Sequence, residues 1–198
     1  MSTELAQAFA TPLWHSRYPQ FDEHETEFIG CVRSIRAKDE TGVCISNHNG
    51  YQSRDDLTTY PTLKPLFDYI ALEVVKQAVS DLQFKPCKGL VTGAWANIND
   101  RRNAVNELHS HGDTFAGVFY LEVPPGSGDL VLYNPGYNPL WEGLQLVETH
   151  TAFTTKTRRI SPVAGDIFLW GSPLPHYVLP NDHDQERTSI AFNVKCFL

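Results

Sequence analysis

Three side chains able to hold a metal ion stand at alternate positions in one short stretch: His109, His111 and Asp113 of "HSHGD". Neutral imidazole gives nitrogen to a divalent ion, and a carboxylate gives oxygen and charge. Two histidines and one carboxylate, with coordination positions left open, is the ligand set of non-heme Fe(II) oxygenases. Residues two apart on a strand point the same way, so His109 with His111, or His111 with Asp113, could share one ion. Taken alone, the pattern is equally that of a solvated polar turn. A third candidate stands far downstream in "SPLPHYVLPN", where His176 follows an apolar run and a Pro-rich turn.

Arg187 comes eleven residues after His176 and opens the run "RTSIAFNVKCF". Its two-residue period puts Arg187, Ser189, Ala191 and Asn193 on one face and Ile190, Phe192 and Val194 on the other. The apolar face suits packing on helices, and the small polar face suits a cavity. An arginine on such an inner face is costly unless an anion meets it. A dicarboxylate would do so through bidentate hydrogen bonds, with Ser189 donating to the same group. An ion pair within the protein is the structural alternative.

These side chains need a scaffold, and the chain divides into two kinds of sequence. Residues 22–37 and 63–83 read as helices; in the second, Leu63, Leu66, Phe67, Ile70, Val74, Val75, Ala78, Val79 and Leu82 follow helical spacing after Pro61. After Pro86 come β-branched or aromatic runs separated by Gly, Pro, Asn and Asp: "GLVTGAWANI", "TFAGVFYLEV", "GDLVLYN", "DIFLW", "HYVL" and the run from Arg187. Helices followed by many short antiparallel strands predict a sheet sandwich or barrel with helices on one face. At 198 residues the chain fits a single domain, with 1–85 a helical part packed on a β core of 86–198.

The order of these motifs resembles that of the Fe(II)/2-oxoglutarate-dependent oxygenases. More narrowly, it is similar to a family of such oxygenases common in marine bacteria and their phages. In that family a "PTPLW"-like start, "SNxxGxQS", "HxHxxxxxSGVYYL" and "PHxVxPN…RxSIAFN" run in this order. Here they read "ATPLW", "SNHNGYQS", "HSHGDTFAGVFYL" and "PHYVLPNDHDQERTSIAFN", spanning nearly the whole chain. Gly112 stands where the family often has Pro, and Ala116 where it often has Ser.

The resemblance implies a double-stranded β-helix (a jelly-roll or cupin-like barrel) and a dioxygenase using Fe(II), 2-oxoglutarate and O2, most simply a hydroxylase releasing succinate and CO2. It assigns His176 as the distal metal ligand, Arg187 and Ser189 as the holders of the 2-oxoglutarate C5 carboxylate, and Tyr120 as a further hydrogen-bond partner. The H-x-H motif gives His109 and His111 as the other ligands, with Asp113 as the alternative to His109. Asn97 and Asn99, on the strand before the motif, could point into the cavity and touch 2-oxoglutarate, or could serve structural hydrogen bonds. No catalytic side chain beyond the metal ligands is expected.

Other features bound the function. A net charge of −7 argues against a polyanionic partner such as nucleic acid, although Arg101, Arg102, Arg158 and Arg159 could make a local patch near the mouth. Four scattered cysteines, a start with no basic n-region, and no apolar run of about 20 residues point to a cytoplasmic protein with reduced thiols and no membrane span. Trp95, Trp141 and Trp170 read as core or lid residues, and His150 and His183 as surface residues. The long aromatic stretch 133–155 reads as a lid over the barrel mouth, suited to a small-molecule or peptide substrate. Competing readings are a cupin-like metal enzyme that does not use 2-oxoglutarate, and a non-catalytic metal-binding module.

Overall fold

Two antiparallel sheets packed inner face to inner face form the body of the protein in the computed structural model, which describes residues 3–198. Their strands are β1 (Leu13–Arg17), β2 (Asn47–His48), β3 (Tyr51–Gln52), β4 (Lys88–Asn99), β5 (Val105–His109), β6 (Phe115–Glu122), β7 (Leu130–Tyr133), β8 (Thr157–Ile160), β9 (Asp166–Gly171), β10 (His176–Val178) and β11 (Arg187–Phe197). The major sheet has the order β1-β9-β6-β11-β4-β3 and the minor sheet β2-β5-β10-β7-β8. From β4 onward successive strands alternate between the two sheets, except that β7 and β8 both lie in the minor sheet, the wrapping of the expected double-stranded β-helix.

Helices cover the outer face of the major sheet. Helix α1 (Phe21–Lys38) carries Asp22 and Glu23 in its first turn and Arg36 and Lys38 in its last, complementing the helix dipole at both ends. Its buried stripe is Phe21, Phe28, Val32 and Ile35, and the rings of Phe21 and Phe28 meet Phe119 of β6 edge-on. The second helix, α2, runs over 64–81 and widens to a π-helical turn at Ile70–Val75. The apolar stripe expected there is buried from Leu63 to Ala78, whereas Leu82 lies beyond the helix and is exposed.

Strand β11 shows how the sequence period becomes two environments. Ile190, Phe192 and Val194 sit in the core shared with the helices, while Arg187, Ser189 and Ala191 face the opposite way and line a cavity between the sheets. Gly117 is a fixed requirement of the adjoining strand. A Cβ there would lie 2.4 Å from the Phe192 ring and 2.6 Å from the Phe168 carbonyl oxygen.

Two expectations change. The part before residue 86 is not simply helical, because β1 and β3 are the two edges of the major sheet and β2 is an edge of the minor one. Strands β5 and β8, sequences "VNELH" and "TRRI", were not expected as strands; they are short and polar, and register with buried neighbours makes them strands rather than propensity.

Candidate active site

His109 ends β5 and His176 begins β10, and these two residues are direct partners across the minor sheet. His111 stands two residues beyond His109, its backbone N–H donating to the Ser172 carbonyl. The pairing brings the three rings together, with centroids 4.4 Å apart for His109 and His176, 5.0 Å for His109 and His111, and 5.2 Å for His111 and His176. One nitrogen from each lies within 4.8 Å of the other two.

Tautomers follow from the partners. His176 Nδ1 lies 2.9 Å from the Leu174 carbonyl oxygen, and His109 Nδ1 lies 2.6 Å from that of Glu107. A carbonyl only accepts, so each Nδ1 carries a proton, and Nε2 is the nitrogen left to bind a metal. Burial holds His176 well below the ordinary 6.5, to about 3, with the Leu174 carbonyl opposing and the other two histidines adding to the depression. His111 falls to about 4, chiefly by burial and next by His109, with Asp113 opposing. Both rings are therefore neutral near pH 7, the form a metal needs.

Asp113 is not in this cluster among the described residues; its carboxylate accepts from the Thr92 hydroxyl at 2.9 Å. His150 is exposed, and His183 is half-buried against the Pro125 carbonyl.

Arg187 lies across the cavity on β11, paired with Asn99 of β4. It is 1% exposed, and its Nε and Nη2 have no hydrogen-bond partner among the described residues. Its guanidinium carbon stands 4.9 Å from the centroid of Tyr120, itself fully buried with an unpartnered hydroxyl. Burial pushes the Arg187 pKa down, opposed by Tyr120, and pushes that of Tyr120 up, opposed by Arg187. No carboxylate lies within 4.0 Å of the guanidinium among the described residues, so the structural ion pair that could have explained it is missing.

Register also forms a polar row. Ser189 pairs with Tyr120 on one side and with Asn97 on the other, and Asn97 pairs with Gln52. Tyr120, Ser189, Asn97 and Arg187 line the same cavity as the three histidines, together with Asn106, Trp95 and Trp170. Asn99 is not on that lining; its side chain bonds weakly to Asn106 at 3.5 Å. Trp170 packs edge-on against His176 at 4.7 Å, and Trp95 lies 5.6 Å from His111. Asn106, Gln52 and Trp170 were not anticipated as site residues.

Residues 93–193, just over half the chain, match the model of the family described as "Putative 2OG-Fe(II) oxygenase". The chain is a 2OG-Fe(II) oxygenase. Its fold agrees with solved members of this broad class. A prolyl-4-hydroxylase from Pseudomonas putida superimposes with a TM-score of 0.64 at 15% identity over 92% of both chains. HygX from Streptomyces hygroscopicus, solved with nickel and 2-oxoglutarate, gives 0.65 at 13% identity over 93% of this chain and 83% of that one. A Trichoplax adhaerens prolyl hydroxylase in complex with a peptide fragment of hypoxia inducible factor gives 0.60 at 15% identity over 93% and 83%. No curated protein matches the chain in sequence.

The oxygenase cofactors are accordingly Fe(II) and 2-oxoglutarate, and the cavity residues suit them: three clustered imidazoles could hold the ion, and a buried, unpartnered guanidinium offers a carboxylate its fork. Three imidazoles bring no charge, so an anionic ligand on the metal is favoured electrostatically.

The stretch 133–155 does not border the histidines. It lines a neighbouring cavity with Leu132 and Arg158, and carries the short helix Pro139–Gly143 with Trp141 39% exposed. The opening onto His109 and His111, about 520 Å³, is instead lined by 43–55, with Trp95 and Asn193. The four arginines do not form one patch. Arg158 is level with His176 in the minor sheet, whereas Arg101 and Arg102 precede β5 at the other end.

Proposed function

We propose that His109, His111 and His176 hold Fe(II) and that Arg187, with Ser189, Tyr120 and Asn97, binds the distal carboxylate of 2-oxoglutarate, within one oxygenase domain over 1–198. The observation that carries this reading is a buried guanidinium with two unpartnered nitrogens, across one cavity from three clustered imidazoles. When bound, the iron, 2-oxoglutarate and O2 supply oxidative decarboxylation to succinate and CO2, coupled to hydroxylation of a substrate C–H.

The chain's own residues supply geometry. The Glu107 and Leu174 carbonyls fix the His109 and His176 rings with Nε2 inward. Arg187 and the Tyr120 hydroxyl fix the far end of the diacid, which sets how its keto-acid end meets the metal. Trp95 and Trp170 pack against the His111 and His176 rings. The free space among these side chains is about 40 Å³ and adjoins the larger opening through Trp95, His109 and His111.

We place Asn99 in support, through Asn106, rather than in contact with 2-oxoglutarate. Asp113 is set aside as a ligand because it bonds Thr92 and lies outside the cluster. A cupin-like enzyme or a metal-binding module has no use for Arg187.

The substrate is a small molecule or a peptidyl group; the solved neighbours with peptide or small-molecule chemistry support both classes. The four cysteines are free thiols, which supports a cytoplasmic site of action; among the described residues no helix is long and apolar enough to cross a membrane. Screening amino acids, peptides and cell extract for stimulated succinate formation tests the reading. Stimulation dependent on both Fe(II) and 2-oxoglutarate is expected; stimulation by DNA or RNA alone would overturn the substrate class.

A further inference from the structure

A second cavity of about 590 Å³ lies beside the histidines, and its placement follows from strand register. His176 pairs with Leu132 of β7, and Leu132 pairs with Arg158 of β8. Residues directly opposite on neighbouring strands share a face. His176 and Leu132 both face the interior of the barrel, so Arg158 does too, on the edge strand and level with the proposed ligand. Neighbouring strands are about 4.8 Å apart, which puts the backbones of Arg158 and His176 roughly 10 Å from each other.

The floor of this cavity is apolar. Leu13, Leu132 and Leu174 line it, and all three belong to the cluster that includes Trp170, the ring packed on His176. Leu174 also supplies the carbonyl that holds His176 Nδ1. Leu174 and Trp170 thus join the cavity floor to His176.

Its charge is one-sided. The charged residues lining it are Arg158 and Arg159, with no Asp or Glu. Among the described residues neither arginine has a carboxylate within 4.0 Å or a side-chain hydrogen bond. In a chain of net charge −7, the unengaged Arg158 guanidinium over an apolar floor makes a local reversal of sign, while Arg159, opposite Val131 on the other face of β8, also lines a separate cavity with Asp129 and Asp182. Arg101, by contrast, is bonded to Asp100.

We propose that this cavity binds the substrate and that Arg158 takes an anionic group on it, a carboxylate or a phosphate, carried on an apolar body that lies over Leu13, Leu132 and Leu174. This rests on the oxygenase reading of the histidines, and it narrows the substrate from small molecules or peptides at large to those that carry an acidic group. Arg159 adds to the field at the rim.

The test uses full-length protein loaded with Mn(II) and 2-oxoglutarate without O2. It is titrated with 8-anilinonaphthalene-1-sulfonate and with N-phenyl-1-naphthylamine, which has the same rings and no anion. The sulfonate should bind, and Arg158→Gln should weaken it about tenfold or more, the usual effect of losing a charge-assisted hydrogen bond. The neutral dye should not respond to Arg158→Gln, and Arg102→Gln should alter neither dye. No binding of the sulfonate, equal affinity in wild type and Arg158→Gln, or equal losses for both dyes would overturn the proposal. Matched alkyl carboxylates, phosphate monoesters and primary amides then compete with the sulfonate. Displacement by the acids is expected, their order separates carboxylate from phosphate, and displacement by amides just as strong would also overturn it. Failure of the metal and 2-oxoglutarate assignment would appear separately, as a bound-metal spectrum indifferent to 2-oxoglutarate, whatever the dyes do.

Discussion

The guanidinium carbon of Arg187 sits 4.9 Å from the centroid of the Tyr120 ring, yet its Nε and Nη2 and the Tyr120 hydroxyl have no hydrogen-bond partner. The cation–π contact offsets part of the cost of burying the charge. Each unsatisfied buried group still costs about 1–3 kcal/mol, which a carboxylate between them would relieve. Arg187→Met should therefore weaken 2-oxoglutarate binding by about 10- to 100-fold, equivalent to ~1.5–3 kcal/mol, while metal binding survives. In thermal melts, 2-oxoglutarate should raise the melting temperature of the wild type and not of the variant. An equal rise in both would reassign Arg187 to a structural role.

The proximal ligand separates by substitution. His109→Ala should lose most metal affinity, and Asp113→Ala should retain it, because Asp113 is engaged with Thr92 and His109 faces His176 directly. Equilibrium metal titration of the two variants checks this. The opposite pattern would establish His111 and Asp113 as the pair.

Acid stability of the metal-free protein should report the buried rings. His176 is held to about 3 and His111 to about 4, against an ordinary 6.5, so below pH 6.5 the unfolded chain binds protons that the folded one does not. Stability is then unaffected above about pH 6.5 and falls as pH drops toward 4. Replacing His176 with Gln should make that fall shallower in urea titrations at stepped pH. An unchanged slope would mean that the ring is not buried in the metal-free fold.

Much of this site was legible because its signals were local or periodic. The alternation on β11 located Arg187 and Ser189 inside and Ile190, Phe192 and Val194 outside, and the helical stripe of α2 marked its buried face. His176 stood out as a histidine between an apolar strand and a second one. What could not be read was set by long-range register. Asn106 and Gln52 join the polar surroundings only because β5 and β3 pair as they do, and two-residue strands such as β2 and β3 carry no period at all. That His109 rather than Asp113 stands opposite His176 likewise followed from the β5–β10 pairing. The lid was expected in the most irregular stretch, 133–155, but the residues bordering His109 and His111 come from 43–55, whose polar composition resembles any surface loop.

Packing at Gly117 offers a test of the scaffold independent of chemistry. Gly117→Ala would force a methyl group against the Phe192 ring and the Phe168 carbonyl, the latter part of a strand that cannot move freely. A loss of about 1–3 kcal/mol of folding stability is expected from denaturant titration. A neutral substitution would show that β6 and β11 are less closely packed than described.

The most direct test of the central claim is an anaerobic titration of the Fe(II) protein with 2-oxoglutarate, followed by visible absorption. Wild type should develop a weak, saturable charge-transfer band. Arg187→Met should require about 10- to 100-fold more 2-oxoglutarate to reach it, and His176→Ala should not develop it at any concentration. Absence of the band in wild type, or the same band at the same concentration in His176→Ala, would contradict the assignment of the three histidines and Arg187 to iron and 2-oxoglutarate.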